Sequence, residues 1–595
     1  MNAKISRFIE TLRLVRTAYS AYAKQIVILA ILGFLSGLFE GIGVNALIPL
    51  LAILTGTASG GDDAISQAIA GFFLFLGVDF SLKYILIFII LLFILKAAVT
   101  LLFNYIKITI ASGYEKQMRT ALFRDLLGAQ WGYLLKQKLG HFETMMMTNM
   151  RFGSELLGQI GDIIILVAGL VIYAAIAVNI SPRITLITFV IGLMFFMALR
   201  PLISRTRHAA RQTANINKEV AHFINENMLG MKSIKAAVTL DTIGSQAAHF
   251  FDRLARLRIR TLLLRSFGGS IVQPISLIFI GVIFSISYKL PGFQFVAFVP
   301  VVYLIQRIFS YVQQLQSHLH KMVEAGPYVK TILEYEREIR SSQEQAQGVL
   351  PFAFRQALEF VDVSFAYAPN QRALSSVSFR MDKGSMVGVV GSSGGGKTTI
   401  VDLVLRFYEP ASGAIKLDGM PVSKIKLSAW RRAIGYVSQD LFLLNDTIAN
   451  NIRFHDEAIT DADMIRAAKM AFLYEFIESR PQGFDTPVGE RGVLLSAGQR
   501  QRIVITRALA RNPELLILDE ATSALDNESE AQIQKVIENL KGKVTVLVIA
   551  HRLALIANAD TVLVLEKGMI IEQGNPRHLL ANPSSALYKL SNAGK

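Results

Sequence analysis

The chain contains 595 residues, of which 52% are hydrophobic and only 18% are charged, and its formal net charge is +16. This length exceeds what one hydrophobic core serves, so several domains are expected, and the apolar excess indicates a membrane protein. The sequence has no cysteine, which excludes disulfides, cysteine zinc sites and thiol catalysis.

The basic residues gather between apolar segments, which is the positive-inside pattern of membrane proteins. The basic residues are not combined with aromatic residues on one face, as is typical of nucleic-acid binding. Nucleic acid is therefore not an expected partner, and anionic lipid headgroups are favoured. Two runs show the pattern: Arg200, Arg205, Arg207 and Arg211, and then Arg253, Arg256, Arg258, Arg260 and Arg265.

Six apolar segments have about the 20 residues needed to cross the hydrocarbon core of a bilayer. The first is too long for a signal-peptide core and lacks a cleavage pattern, so it is predicted to be retained. Short connections poor in basic residues are assigned to the outside, which places both termini in the cytoplasm. The predicted spans are residues 26–54, 84–110, 156–180, 184–203, 267–288 and 293–312.

Two long connections, residues 111–155 and 204–266, show helical periodicity with few helix-breaking residues. The spanning helices are therefore expected to continue far into the cytoplasm. Residues 130–135 (QWGYLL) and 225–230 (NENMLG) are the predicted turning points, because each combines a breaker with large side chains. A surface helix without a partner is the alternative interpretation.

Three ionisable residues fall inside predicted spans, namely Glu40, Lys96 and Arg307. Charges are costly in hydrocarbon and mark functional sites by default, although a structural ion pair or snorkelling toward the interface is the alternative. We expect at least Glu40 and Arg307 to face a water-accessible cavity.

Residues 391–398 (GSSGGGKT) match the phosphate-loop pattern between an apolar strand and a helix. Glycines allow close backbone approach, so that N–H groups and the helix end surround phosphate oxygens. Lys397 is expected to reach the terminal phosphates, and Thr398 to bind Mg²⁺. The predicted nucleotide-binding residues of this segment are Gly391, Ser392, Gly394, Gly396, Lys397, Thr398 and Thr399.

An apolar run at residues 515–518 ends in Asp519 and Glu520. Carboxylates at such a strand end suit metal binding and water activation beside a phosphate, so Asp519 is assigned to Mg²⁺ and Glu520 to the general base. The segment 495–499 (LSAGQ) precedes a helix-forming run, and its Ser496, Gly498 and Gln499 are candidates for a second phosphate contact. Alone, each segment also fits simple helix capping.

With these motifs in this order, the sequence resembles the ATP-binding cassette superfamily over nearly its whole length. The resemblance implies that Tyr367 stacks on adenine, that Gln439 in 436–440 (YVSQD) contacts Mg²⁺ and water, and that His551 holds the γ-phosphate. Residues 523–526 (SALD) resemble the loop exchanged between paired cassettes, and 486–492 (TPVGERG) resembles a segment of cassette exporters. Ala497 departs from the usual glycine at the third position of the pentapeptide.

The implied fold is a membrane all-α domain of six helices, of the exporter type, followed by an α/β phosphate-loop ATPase domain. The predicted boundaries are 1–330 for the transmembrane domain, 331–355 for a linker and 356–595 for the cassette. The resemblance implies an ATPase that uses ATP and Mg²⁺ and closes two sites across a dimer, with a homodimer favoured over a pair with another half-transporter. The expected location is the bacterial inner membrane, with the cassette in the cytoplasm.

The implied function is ATP-driven export or flipping by alternating access. Residues 40–45 (EGIGVN) resemble, weakly, transporters of lipid-linked oligosaccharides, glycans and peptides. An amphipathic lipid, glycolipid or lipid-linked glycan is the favoured cargo, and peptides or hydrophobic drugs are the alternative. A nucleotide-gated channel or regulator on the same scaffold is the alternative from another class.

Overall fold

The computed structural model describes residues 19–54, 64–180, 182–289, 295–345, 348–520, 527–550 and 552–593. Internal contacts divide the chain into two units. The first contains residues 1–129 and 133–343, and the second contains residues 130–132 and 344–595.

The first unit is built from α-helices, several of them far longer than the average in globular proteins. Branched and aromatic apolar side chains point outward along these helices, including Ile90, Ile94 and Leu101. Such extended exposed apolar surface suits contact with lipid. The α-helices described up to residue 341, of which α5 begins in the segment 130–132 of the second unit, are α1 (Ala23–Asn45), α2 (Leu47–Leu54), α3 (Ala64–Phe75), α4 (Leu82–Leu127), α5 (Trp131–Leu134), α6 (Leu139–Thr144), α7 (Met150–Ile180), α8 (Pro182–Leu229), α9 (Met231–Ala236), α10 (Leu240–Ser287) and α11 (Phe295–Ser341).

Four segments among the described residues are long and apolar enough to cross a membrane: Ser20–Leu50, Leu82–Leu127, Gly140–Asn179 and Leu240–Ser287. They overlap four of the predicted spans. The other two, 184–203 and 293–312, fall at the beginnings of α8 and α11, and residues 293 and 294 of the last span lie outside the described residues. The first predicted span is not one helix, since α1 ends at Asn45 and α2 begins at Leu47.

The long helices exceed the thickness of a bilayer. With its 46 residues α4 extends for about 69 Å, against a hydrocarbon core of about 30 Å. The predicted turning points coincide with helix ends: α4 ends at Leu127 before the short α5, and α8 ends at Leu229 before the short α9. The domain boundary differs from the prediction, because α11 continues past residue 330 to Ser341.

His320 of α11 lies beyond the predicted span and is buried, where its Nδ1 atom is 2.9 Å from the Thr206 hydroxyl. Burial, assisted by the positive charge of Arg265, lowers the pKa of His320 to about 4. The folded protein therefore resists protonation of this ring, whereas an unfolded chain accepts a proton near pH 6.5.

This difference predicts a loss of stability as pH falls from about 6.5 toward 4. Between pH 7.5 and 5.5 the expected loss is about 1 kcal/mol. Thermal unfolding in detergent at both pH values measures it, and His320→Gln is expected to reduce the pH dependence, whereas His249→Gln, at an exposed position, leaves it unchanged. An equal pH dependence in the His320 variant contradicts the prediction.

Two sheets lie in the described residues of the second unit. A four-stranded sheet has the order β2-β1-β4-β5, and a six-stranded sheet has the order β10-β9-β3-β8-β7-β6. The strands are β1 (Ala357–Ala368), β2 (Gln371–Asp382), β3 (Met386–Gly391), β4 (Ser412–Leu417), β5 (Met420–Pro421), β6 (Ile434–Val437), β7 (Leu515–Asp519), β8 (Thr545–Ile549), β9 (Thr561–Glu566) and β10 (Met569–Gly574).

Helices accompany both sheets, and every residue of β7 and β8 is buried, as expected for parallel strands covered on both faces. The helices are α12 (Lys397–Val404), α13 (Leu427–Arg432), α14 (Ile448–Arg453), α15 (Asp461–Met470), α16 (Tyr474–Glu478), α17 (Ala497–Ala510), α18 (Asn527–Leu540), α19 (Pro576–Ala581) and α20 (Ala586–Ala593).

The centre of the larger sheet is parallel: β3 pairs with β8, β8 with β7, and β7 with β6. The carboxyl ends of these strands therefore meet at one edge, the usual location of ligand sites in open α/β sheets. The segments that follow there are the 391–398 loop after β3, Gln439 after β6 and Glu520 after β7.

Candidate functional sites

The 391–398 loop connects β3 to α12. Gly394 and Gly396 have φ angles of +77° and +99°, in the left-handed region that favours glycine. A Cβ atom at Gly396 would lie 2.7 Å from the Ala373 carbonyl oxygen, whereas at Gly394 nothing lies within 4 Å. The loop thus packs tightly at its end and leaves open space above its middle, which suits an anionic ligand.

Lys397 holds its ammonium group against the same loop. Its Nζ atom donates to the carbonyl oxygens of Gly391 and Ser392, both at 3.0 Å. Burial lowers the pKa of Lys397, while the negative charges of Glu520 and Asp519 act in the opposite direction. The loop and the two carboxylates at the end of β7 therefore form one electrostatic site.

Asp519 is the last residue of β7, and its carboxyl group is almost fully buried. Burial, together with the charges of Glu520 and Asp402, raises its pKa to about 6, and a hydrogen bond from Tyr436 opposes the shift. Tyr436 and Asp402 were not among the predicted site residues. Asp402 could have been found as the acidic residue one helical turn after Thr398.

Glu520 follows β7 with a φ of +50°, an uncommon conformation for a residue with a side chain. Its N–H donates to the carbonyl oxygen of Ile549 at the end of β8, over 3.1 Å. The Gln439 Nε2 atom donates to Glu520 Oε2 at 2.7 Å. Backbone strain of this kind concentrates at functional sites, and here it directs the carboxylate toward Gln439.

Tyr367 lies near the end of β1, and its hydroxyl is 3.1 Å from Asp402 Oδ2 and 3.2 Å from the Thr399 hydroxyl. Burial of the hydroxyl raises its pKa to about 12. The side chain as a whole is 41% exposed, and Tyr408 packs edge-on against its ring. The ring is therefore fixed beside α12 and remains available for stacking.

The pentapeptide forms the beginning of α17. Ser496 caps the helix: its hydroxyl accepts from the Gln499 N–H at 3.2 Å, and the Gln499 side chain accepts from the Ser496 N–H at 2.9 Å. Gly498 is buried in the first turn. Within the described part of this one chain, the side-chain hydrogen bonds of Ser496 join it to Gln499 and not to the phosphate loop. The predicted residues 523–526 and His551 lie outside the described residues.

A second polar cluster, Glu40, Lys96, Arg307, Tyr173 and Tyr311, lies in the first unit. The Glu40 carboxylate forms a salt bridge to Lys96 at 3.0 Å, contacts Arg307 directly and lies 3.3 Å from the Tyr311 hydroxyl. The Arg307 guanidinium lies 5.0 Å from the centre of the Tyr311 ring and 5.9 Å from that of Tyr173.

The burial of this cluster corrects one expectation. The Glu40 side chain is only 4% exposed, whereas we expected it to face a water-accessible cavity. Lys96 and Arg307 are 25% and 30% exposed. Glu40 therefore fits the alternative interpretation, a structural ion pair. The cluster contains two cations, Lys96 and Arg307, and one carboxylate.

Comparison with known proteins follows the same division of the chain. The model of the ABC transporter transmembrane region matches residues 26–315, and the ABC transporter model matches residues 374–523. The heterocyst differentiation ATP-binding protein HepA of Nostoc sp. is 30% identical over 578 residues, covering 94% of this chain and 92% of the relative. An ATP-dependent lipid A-core flippase of Coxiella burnetii is 32% identical over 516 residues, covering 85% and 87%.

The solved structure of a bacterial Atm1-family ABC exporter with ATP bound has a similar fold. Its TM-score is 0.78 at 23% identity, over 96% of this chain and 99% of that chain. The chain therefore belongs to the ABC transporter family. Within that family it is an exporter-type half-transporter, an integral membrane protein that couples ATP hydrolysis to transport.

Proposed function

We propose that this exporter moves an amphipathic lipid with an anionic headgroup across the bacterial inner membrane. The observation that carries this proposal is the cluster of Glu40, Lys96 and Arg307 inside the apolar helices of the first unit. Its two cations exceed its one carboxylate, and charge inside hydrocarbon is retained mainly where a function uses it. A phosphate or carboxylate on a lipid headgroup complements the excess positive charge.

The relatives support the same substrate class. The Coxiella burnetii protein is named a lipid A-core flippase, and a protein of that name from Saccharophagus degradans is 38% identical over 371 residues. Lipid A-core is an amphipathic lipid. We extend to this chain the class of substrate and not the particular molecule.

In the cassette, we assign ATP to the 391–398 loop, with Lys397 at the terminal phosphates and Tyr367 stacking on the base. The open space above Gly394 and the buried Asp519 fit a nucleotide with its divalent cation. Thr398, Gln439 and Asp519 would hold Mg²⁺, which when bound neutralises phosphate charge. Glu520 would accept the proton of the attacking water, with Gln439 orienting its carboxylate, and His551 would contact the γ-phosphate.

We further propose a homodimer with the cassettes in the cytoplasm. Ser496 and Gly498 begin α17, where helix N–H groups can bind phosphate, yet the side-chain hydrogen bonds of this segment within one chain are local. A second copy would bring this helix end to the nucleotide. ATP would then favour the joined cassettes, and its hydrolysis would release them, because only differential affinity shifts a conformational equilibrium.

Reconstitution in liposomes tests the substrate class. We expect ATP-dependent movement of fluorescent phosphatidylglycerol between leaflets, and slower movement of phosphatidylcholine with the same acyl chains. Glu520→Gln is the matched inactive control. Equal movement of both lipids, or stimulation of ATP turnover by peptides and by none of the lipids, would overturn the proposal. An ATP-dependent ionic current without lipid movement would indicate a channel.

A further inference from the structure

Arg431, in the last turn of α13, is held by an unusually complete set of hydrogen bonds. Its Nη1 and Nη2 atoms donate to the two carboxylate oxygens of Glu344, each at 2.8 Å. Its Nε and Nη2 atoms donate to the carbonyl oxygens of Leu405 and Arg406, each at 3.0 Å. Only a planar guanidinium can make this combination, since the ammonium of lysine lacks the forked geometry.

The two carbonyl groups belong to the end of the phosphate-loop helix. Leu405 is the C-cap of α12, and this helix begins at Lys397. With eight residues α12 is a rigid rod of about 12 Å, so a displacement at the phosphate loop reaches Leu405. Arg431 is therefore bonded to the far end of the helix that begins at the phosphate loop.

The partner of Arg431 in the bidentate pair, Glu344, lies where the chain passes from the first unit to the second. The first unit ends at residue 343, and α11 ends just before it, at Ser341. The bidentate pair thus fixes the point at which the chain enters the cassette. The Glu344 and Arg431 side chains are only partly exposed, which limits screening of the pair by solvent.

A second segment is attached through an aromatic contact. The Arg431 guanidinium lies 5.1 Å from the centre of the Phe407 ring, and Phe407 stacks on Trp131 at 5.3 Å with an interplanar angle of 26°. Residues 130–132 belong to the second unit by their contacts, although in sequence they join two parts of the membrane region. Within the second unit, Arg431 is therefore linked to Glu344 directly and to Trp131 through Phe407.

We infer that Arg431 is a positioning residue that transmits the state of the phosphate-loop helix to Glu344 and Trp131. It is not a catalytic residue, because it contacts the C-terminal end of α12 and not the loop itself. The inference rests on the ATP-driven transport of the family and does not depend on the identity of the substrate.

The cysteine-free chain permits a test without substrate. The full-length protein with Leu76→Cys, at an exposed position after α3, would carry a fluorescent label that reports ATP-induced change in the membrane region. In Arg431→Lys we expect the KM for ATP to stay within about twofold, while the ATP-induced signal falls about fivefold or more. Arg380→Lys, in an exposed ion pair of the same unit, is the matched control. It is expected to leave the KM for ATP and the ATP-induced signal unchanged.

Two further variants distinguish a positioning role of Arg431 from a non-specific disturbance of the folded cassette. Glu344→Gln keeps the shape of the side chain and removes the charge, and we expect it to reproduce the loss of signal without a change in KM. The double variant Glu344→Gln with Arg431→Lys is expected to lose no more than Arg431→Lys alone, because both act through one contact. A full signal in Glu344→Gln, additive losses in the double variant, or a parallel change of KM and signal would overturn the inference.

Discussion

Glu520→Gln is expected to lower ATP turnover by roughly 10²- to 10⁴-fold, the usual contribution of a general base. The amide keeps the shape of the side chain but cannot accept the proton of the attacking water. Lys397 and the phosphate loop are unchanged, so ATP binding is expected to persist. Steady-state phosphate release and equilibrium binding of a fluorescent ATP analogue, measured on the same reconstituted protein, separate the two effects.

Glu514→Gln provides the matched control. Glu514 lies in the same unit, just before β7, and its salt bridge to Lys383 is partly exposed, so this substitution is expected to leave turnover nearly unchanged. The assignment of the base fails if Glu520→Gln retains more than about a tenth of the native turnover. A loss of ATP binding equal to the loss of turnover would instead indicate a structural role.

Glu40→Gln is expected to destabilise the membrane region by about 3–5 kcal/mol, as found when one partner of a buried ion pair is removed. The carboxylate contacts both Lys96 and Arg307, so its loss leaves two cations among apolar helices without their counter-ion. Thermal unfolding of the purified protein in detergent measures the effect. Because helices α1, α4 and α11 meet here, the transition of the membrane region is the one expected to shift.

Glu155→Gln is the control for this prediction, since Glu155 pairs with Arg151 on an exposed helix face, where ion pairs contribute little. The double variant Glu40→Gln with Arg307→Gln is expected to regain part of the lost stability, because one unpaired cation is removed. A Glu40→Gln protein as stable as the native one would show that the cluster does not depend on its carboxylate.

The short motifs were predictable because their chemistry depends on neighbours in sequence. The spacing of glycines before Lys397 defines the loop, and the apolar run before Asp519 defines a buried strand ending in carboxylates. The turning points at 130–135 and 225–230 were likewise visible as breakers in helical patterns. The end of α11 was not visible in the sequence, where a linker was predicted from residue 331. Residues 331–341 contain no strong helix breaker, and packing extends the helix to Ser341.

The amino-acid sequence by itself determined the two-part architecture and the residue types available at the nucleotide site. The lengths of the apolar segments, the apolar runs that form strands and the spacing of the glycines are local patterns, which can be read from neighbouring residues. Only the tertiary structure decided which distant groups meet. Arg307 contacts Glu40 across 267 positions of sequence, and Arg431 contacts Glu344 across 87. These pairings follow from helix packing and sheet order, where many weak contacts along whole elements fix positions that no local pattern encodes.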